Sequence, residues 1–168
     1  MIFVTVGTHE QQFNRLVERI DVMKGDGILG DEEVFIQTGF STYEPKWCKW
    51  SKLIPHKELS QYMNEARIII THGGPASFVM PLQLGKVPIV VPRRVQFDEH
   101  VNDHQVLFAR EVASRNGSII LVETVDELEK AILEYEQLTA GMAPDMKSNN
   151  ANFNKELEKL VEGLFSKR

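Results

Sequence analysis

The chain has 168 residues, the length of one domain with room for a hydrophobic core. A formal net charge of -5 excludes a surface that acts as an overall electrostatic trap for nucleic acid. No apolar run approaches the ~20 residues of a membrane span, and the single cysteine, Cys48, excludes an internal disulfide and fits a reducing cytoplasm.

The sequence opens on a strand. Residues 2–6, IFVTV, are β-branched and aromatic, and no basic segment precedes them, so the N-terminus does not read as a signal peptide. In residues 11–23 the apolar positions Phe13, Leu16, Val17, Ile20 and Met23 share one helical face. A loop follows over 24–33, then a second strand over 34–39 that ends in Gly39. Residues 41–47 are irregular, and 48–55 read as a third strand in which Cys48 is a small buried hydrophobe rather than a reactive thiol. A short helix is predicted over 56–66. The unbroken run at 67–71, RIIIT, predicts a strand buried on both faces. After HGGPAS come a helix over 77–84 and a fifth strand over 87–92. A long helix is predicted over 97–117, stopped by Asn116-Gly117. Residues 118–122 form a sixth strand, and Thr124 with Glu127 has capping-box spacing for the helix that follows.

This alternation predicts an α/β fold: a Rossmann-like open parallel sheet of about six strands with helices on both faces. In such sheets ligands bind beyond the carboxyl ends of the strands. Those positions hold Gly7-Thr8-His9, Thr38-Gly39, His72-Gly73-Gly74-Pro75-Ala76-Ser77, and Arg93-Arg94 followed by Asp98-Glu99-His100. The glycine pair lets backbone approach a ligand. Pro75 suits a first helical turn, and the free N–H groups of that turn attract an anion. Ser77 adds a hydroxyl, and Arg93 or Arg94 a charge-assisted bond to phosphate. The composite reads as a diphosphate cradle. Neither G-x-G-x-x-G nor G-x-x-x-x-G-K-[ST] is present, which argues against dinucleotide binding and against a P-loop nucleotidase.

His100 and His104 are four apart, on one face of the predicted helix, but H-E-x-x-H is absent and no metal site is expected. Asp98, Glu99, His100, Asn102, Asp103, His104 and Gln105 read better as groups that bond sugar hydroxyls, with a solvated helix face as the plain alternative.

Taken in order, VTVGTHEQQFNRLV, IQTG, ITHGGPASFVMPLQLGKVPIVVPR and FDEHVNDHQ resemble the C-terminal half of GT-B glycosyltransferases, specifically the family 28 C-terminal domain. The likeness runs from Met1 to about Val122. It is strongest to the small soluble subunit of two-chain enzymes. One such group makes bacterial exopolysaccharide and capsule and is described as β-1,4-galactosyltransferase. A eukaryotic relative is the soluble subunit of the N-acetylglucosaminyltransferase that extends the dolichol-linked oligosaccharide.

The resemblance implies a nucleotide-sugar-binding domain over 1–138, then a linker and an amphipathic helix over 139–168. In that helix Phe153, Leu157, Leu160, Val161, Leu164 and Phe165 share a face, which either covers the sheet or docks on a partner. Trp47 and Trp50 are further interface candidates, with core packing the plainer reading. The resemblance implies that Gly7, Thr8, His72, Gly74 and Ser77 hold the donor diphosphate, and the strand-end reading adds Gly73 and Arg93. It assigns Asp98, Glu99, His100, Asn102 and Gln105 to the donor sugar, and residues 53–56 to the uracil. His9 is a possible general base, although the partner is the expected source. Many GT-B enzymes grip the ribose with a Glu where this chain has Met80. The expected activity is inverting transfer of a sugar, galactose first, from a UDP-sugar substrate, with no cofactor and no metal requirement. Transfer of N-acetylglucosamine, or an accessory role beside a catalytic partner, are the alternatives. A flavodoxin-like regulatory domain is disfavoured by its missing acidic and Lys positions. The expected partner is a membrane-anchored, acceptor-binding subunit that brings the chain, cytoplasmic itself, to a lipid-linked saccharide at the inner membrane face. No nucleic-acid partner is expected.

Overall fold

The structure is a computed structural model, and it describes residues 1–142. The predicted linker and amphipathic helix therefore lie almost wholly outside the described residues. The elements alternate as expected: β1 (Ile2–Thr5), α1 (Asn14–Gly25), β2 (Val34–Gln37), β3 (Lys49–Ser51), α2 (His56–Glu65), β4 (Ile68–His72), α3 (Pro75–Gln83), β5 (Ile89–Val91), α4 (His104–Asn116), β6 (Ile120–Leu121), α5 (Leu128–Leu133) and α6 (Tyr135–Thr139). The six strands form one sheet in the order β3-β2-β1-β4-β5-β6, and every pairing is parallel.

Parallel strands need long crossovers, helical here except between β2 and β3, and the helices cover both faces. Alternate residues of the strands divide between them. Ile2, Val4, Ile68, Ile70, Ile89 and Val91 pack on the face that α1 and α5 cover with Leu16, Val17, Ile20, Leu128 and Ile132. On the other face Phe3 and Ile69 meet Met63 of α2 and Ala66 just after it, while Val90 meets Phe78 and Leu82 of α3 and Ala109 of α4. The helical stripe Phe13, Leu16, Val17, Ile20 and Met23 is wholly buried, as its spacing predicts.

Buried polar groups organise the loops. The Asp21 carboxylate accepts the backbone N–H groups of Lys46, Trp47 and Cys48 at 2.8–2.9 Å and the Tyr43 hydroxyl at 2.9 Å. Burial raises its pKa, and these four donors outweigh that effect and hold it below its ordinary value. The Cys48 thiol is pushed up to about 12 by burial and by Asp21, so it is the inert, buried group expected. Trp50 packs against the main core, whereas Trp47 is exposed.

Two local expectations fail. The helix predicted from residue 97 starts at His104. Residues 95–97 form a 3-10 turn, and Asp98 follows in the left-handed region at φ 55°. His100 and His104 therefore do not share a helical face. Thr124 makes no side-chain cap: the Glu127 N–H bonds the Thr124 carbonyl, and the chain enters α5 through another 3-10 turn. Gly117 stops α4 in the left-handed conformation, as predicted.

Candidate functional site

The strand order reverses at β1 and β4. Connections leave these neighbours toward opposite sides, and a crevice opens at their carboxyl ends. A cavity of about 590 Å³ occupies it. Gly7, Thr8 and His9 line it from β1, and His72 with the first turn of α3 lines it from β4. The far end is apolar, with Leu59 and Met63 of α2 and Met80 of α3, and His56 stands at its rim.

Close backbone approach explains the glycines. Gly7 has φ 75°, and a Cβ there would lie 2.5 Å from Nε2 of His72. A Cβ on Gly74 would overlap the same ring, and one on Gly73 would press on Gln105 and Pro92. His72 itself accepts the Gly74 N–H at Nδ1, 3.0 Å away, which assigns the ring proton to Nε2. Its pKa falls to about 4, first through burial and next through the Arg93 charge. At neutral pH His72 is thus an uncharged hydrogen-bond donor.

His9 follows the same pattern. Its Nδ1 accepts the Gln11 N–H at 3.2 Å, and burial, then Arg93, then His100 hold its pKa below 6.5. Its ring centroid lies 4.9 Å from that of His100. With Nδ1 engaged, the neutral ring carries its proton on Nε2. In this arrangement His9 offers a donor, not the free nitrogen that a general base needs.

The first turn of α3 has few open donors. Pro75 has none, and the Ser77 N–H bonds the Gly74 carbonyl at 3.0 Å. Ser77 Oγ lies 2.7 Å from the His72 carbonyl and 2.6 Å from that of Gly74, so its proton is engaged. Among the described residues the Ala76 N–H has no partner, and Ala76 lines the cavity.

Beneath the crevice lies a charged network. Arg93 is 0% exposed. Its Nη1 donates to the carbonyls of Gln11 and Gln12 at 2.9 Å and of Glu99 at 3.1 Å, and Nη2 to that of Val6 at 2.8 Å. Glu99, also 0% exposed, forms a two-pronged ion pair with Arg15 at 2.9 Å and accepts the Arg94 N–H.

Residues 1–161 match the family described as "Glycosyltransferase family 28 C-terminal domain". The chain belongs to this family. Among curated proteins none matches. Among solved structures, the glycosyltransferase SnogD from Streptomyces nogalater is 19% identical with a TM-score of 0.51, over 95% of this chain and 43% of that one. The glycotransferase of kitacinnamycin is 20% identical with a TM-score of 0.57, over 83% and 37%. The spinosyn forosaminyltransferase SpnP is 14% identical with a TM-score of 0.53, over 96% and 43%. At these identities the likeness is one of fold, that of the C-terminal half of a GT-B protein. This family 28 domain spans well under half the length of each of these solved relatives.

Of the residues expected to hold a diphosphate, Gly7, Thr8, His72, Gly74 and Ser77 line the crevice, while Gly73 faces Gln105 and Pro92. Arg93 turns its guanidinium inward and spends its donors on loop carbonyls. Ser77 has its hydroxyl proton engaged. The residues expected to hold the sugar divide. His100 meets His9, but Glu99 is sealed under Arg15, and Asp98 and Glu99 border a separate groove along α1. The side chain of Asn102 accepts the His104 N–H at the start of α4, and that of Gln105 accepts the Arg93 N–H at 3.2 Å. The cause is the loop at 98–103, which spreads a polar run expected on one helix face. Residues 53–56 divide as well: His56 lines the crevice, while Leu53 lines a second cavity with Trp50 and Lys52. Sequence reasoning missed the α2 wall, Leu59 and Met63, and the Arg15 partner of Glu99. The period of α1 marked its apolar face but not which flanking charge would be buried. Among the described residues no cluster of His, Cys, Asp and Glu fits a metal ion, and no helix is long and apolar enough to cross a membrane.

Proposed function

We propose that the chain is the donor-binding half of an inverting glycosyltransferase that uses a nucleoside diphosphate sugar. The observation that carries the reading is the β1/β4 crevice, where the uncharged donor His72 and the N-terminus of α3 face one cavity. The diphosphate accepts from His72 Nε2–H and Ala76 N–H, with the α3 dipole behind them. An acceptor hydroxyl oxygen attacks the anomeric carbon from the side opposite the diphosphate. The bond from that carbon to the diphosphate oxygen breaks, and its electron pair leaves with the nucleoside diphosphate. Donors fixed in advance around that oxygen favour the charge as it develops.

The hydroxyl proton goes to a base outside this chain, since His9 holds a proton where it faces the crevice. This domain forms one wall of a two-walled cleft. The acceptor wall then belongs to a membrane-anchored partner carrying a lipid-linked saccharide, with the chain on the cytoplasmic side. UDP-galactose is the first donor to test, on the resemblance to the exopolysaccharide and capsule subunits, and UDP-N-acetylglucosamine the second. No metal enters this scheme.

His72→Ala tests the reading. It removes a donor side chain at the carboxyl end of β4 and leaves the backbone pairing with β5 in place. Donor affinity should fall about tenfold, the usual worth of one hydrogen bond to a charged group, with the thermal midpoint nearly unchanged. Unchanged affinity would contradict the placement.

A further inference from the structure

Among the described residues the largest wholly buried side chain is a cation, Arg93. Burial of a charge is unfavourable unless its donors are satisfied. Here the partners are backbone carbonyls, not a carboxylate: Val6, Gln11, Gln12 and Glu99. Val6 and Gln11 bracket the loop that carries Gly7, Thr8 and His9. Glu99 immediately precedes His100. The guanidinium also lies 4.8 Å above the Phe13 ring, at the start of α1. Its backbone N–H donates to the Gln105 side chain at 3.2 Å, and Gln105 lies against Gly73, the neighbour of His72. One side chain therefore ties the loop after β1 to the loop after β5. The Glu99 carboxylate is already occupied by Arg15, so no acid competes for the fork.

We propose that Arg93 is a positioning residue of the donor site: it fixes the loops after β1 and β5 so that His9 meets His100 at the mouth of the crevice. This deepens the reading above and relies on it only for the ligand. Arg93 acts through the two loops and does not touch the donor. Lysine cannot replace it, because an ammonium concentrates its donors at one point and cannot span four separated oxygens.

The test uses nuclear magnetic resonance of the chain without ligand. The Arg93 guanidinium should show separate, slowly exchanging Nη protons, and the His9 and His100 ring protons should show a mutual Overhauser contact. Arg93→Lys should abolish that contact and shift the His9 titration midpoint. The Phe35 and Tyr62 ring signals should stay as they are, since that stack lies on the other face of the domain. Arg110→Lys, which alters an exposed pair with Glu123, should change none of these signals. A His9–His100 contact that survives Arg93→Lys overturns the proposal. If Arg93→Lys does not fold, the native chain still decides: protected Nη protons support the tie, and free exchange with water overturns it. With UDP added, Nη signals that persist support a positioning role, and their transfer to the nucleotide would make Arg93 a direct ligand and overturn it. UDP affinity should drop about tenfold or more in Arg93→Lys, the scale expected for a misplaced site. Failure of the native chain to bind UDP would count against the glycosyltransferase reading, while the ligand-free spectra would still decide the role of Arg93.

Discussion

A Cβ on Gly7 would stand 2.5 Å from Nε2 of His72, the atom that carries the ring proton into the crevice. Gly7 also has φ 75°. Gly7→Ala should therefore act twice, through backbone strain and through displacement of the imidazole. We expect a loss of about 1–3 kcal/mol in stability together with loss of nucleotide binding. Gly85→Ala is the control. Gly85 has φ 71° with open space around it, so that change should cost stability alone. Chemical denaturation and a UDP titration of both variants check this.

His72 has its pKa depressed to about 4, and the unfolded chain returns it to 6.5. Between these values the unfolded state binds more protons than the folded one. The stability contributed by the neutral ring is full above pH 6.5 and is lost as pH falls toward 4. His9, depressed in the same direction, adds to the effect. Denaturant midpoints should fall across that window, and His72→Phe should flatten the slope. Imidazole signals followed against pH should place the His72 midpoint near 4.

Much of this was legible in the sequence. Runs such as RIIIT and VPIVVP fixed strand identity, and the strand–helix alternation led to the parallel sheet. His72-Gly73-Gly74-Pro75 located the crevice, because tight turns at strand ends need residues of that kind. The direction of long side chains was not legible. Arg93 after a strand looks the same whether its guanidinium points at a ligand or back under the loop. The difference lies in four carbonyls contributed by residues 81–87 positions earlier and 6 later in the chain. The run from Asp98 to His104 has helical composition, yet the side chains of Asp103 and Asn102 bond the backbone of Val95 and His104, and that local competition delays the helix.

The Arg15–Glu99 pair is nearly closed to solvent, with 15% and 0% of the two side chains exposed. Glu99→Gln would leave the Arg15 charge without its partner. We expect a loss of about 3 kcal/mol, in the range for breaking a buried pair from one side. Arg15→Met combined with Glu99→Gln should recover part of it. A double-mutant cycle in urea measures both values.

Met80 leaves the cavity wall apolar near Met63 and Leu59. A wall without an acceptor discriminates little between a ribose and a 2′-deoxyribose, whereas a carboxylate at that place would. The native chain should bind UDP and its 2′-deoxy analogue within about threefold of each other. Met80→Glu should favour UDP by about tenfold, the worth of a hydrogen bond to a charged group. Competition titrations read the ratio directly.

On the proposed reading the β1/β4 crevice of this chain holds a nucleoside diphosphate sugar. Calorimetric titration with UDP, UDP-galactose and UDP-N-acetylglucosamine, with and without a chelator, tests it most directly. Binding should survive chelation, weaken in His72→Ala, and differ between the two sugars. Absence of heat with all three nucleotides at millimolar concentration would contradict it.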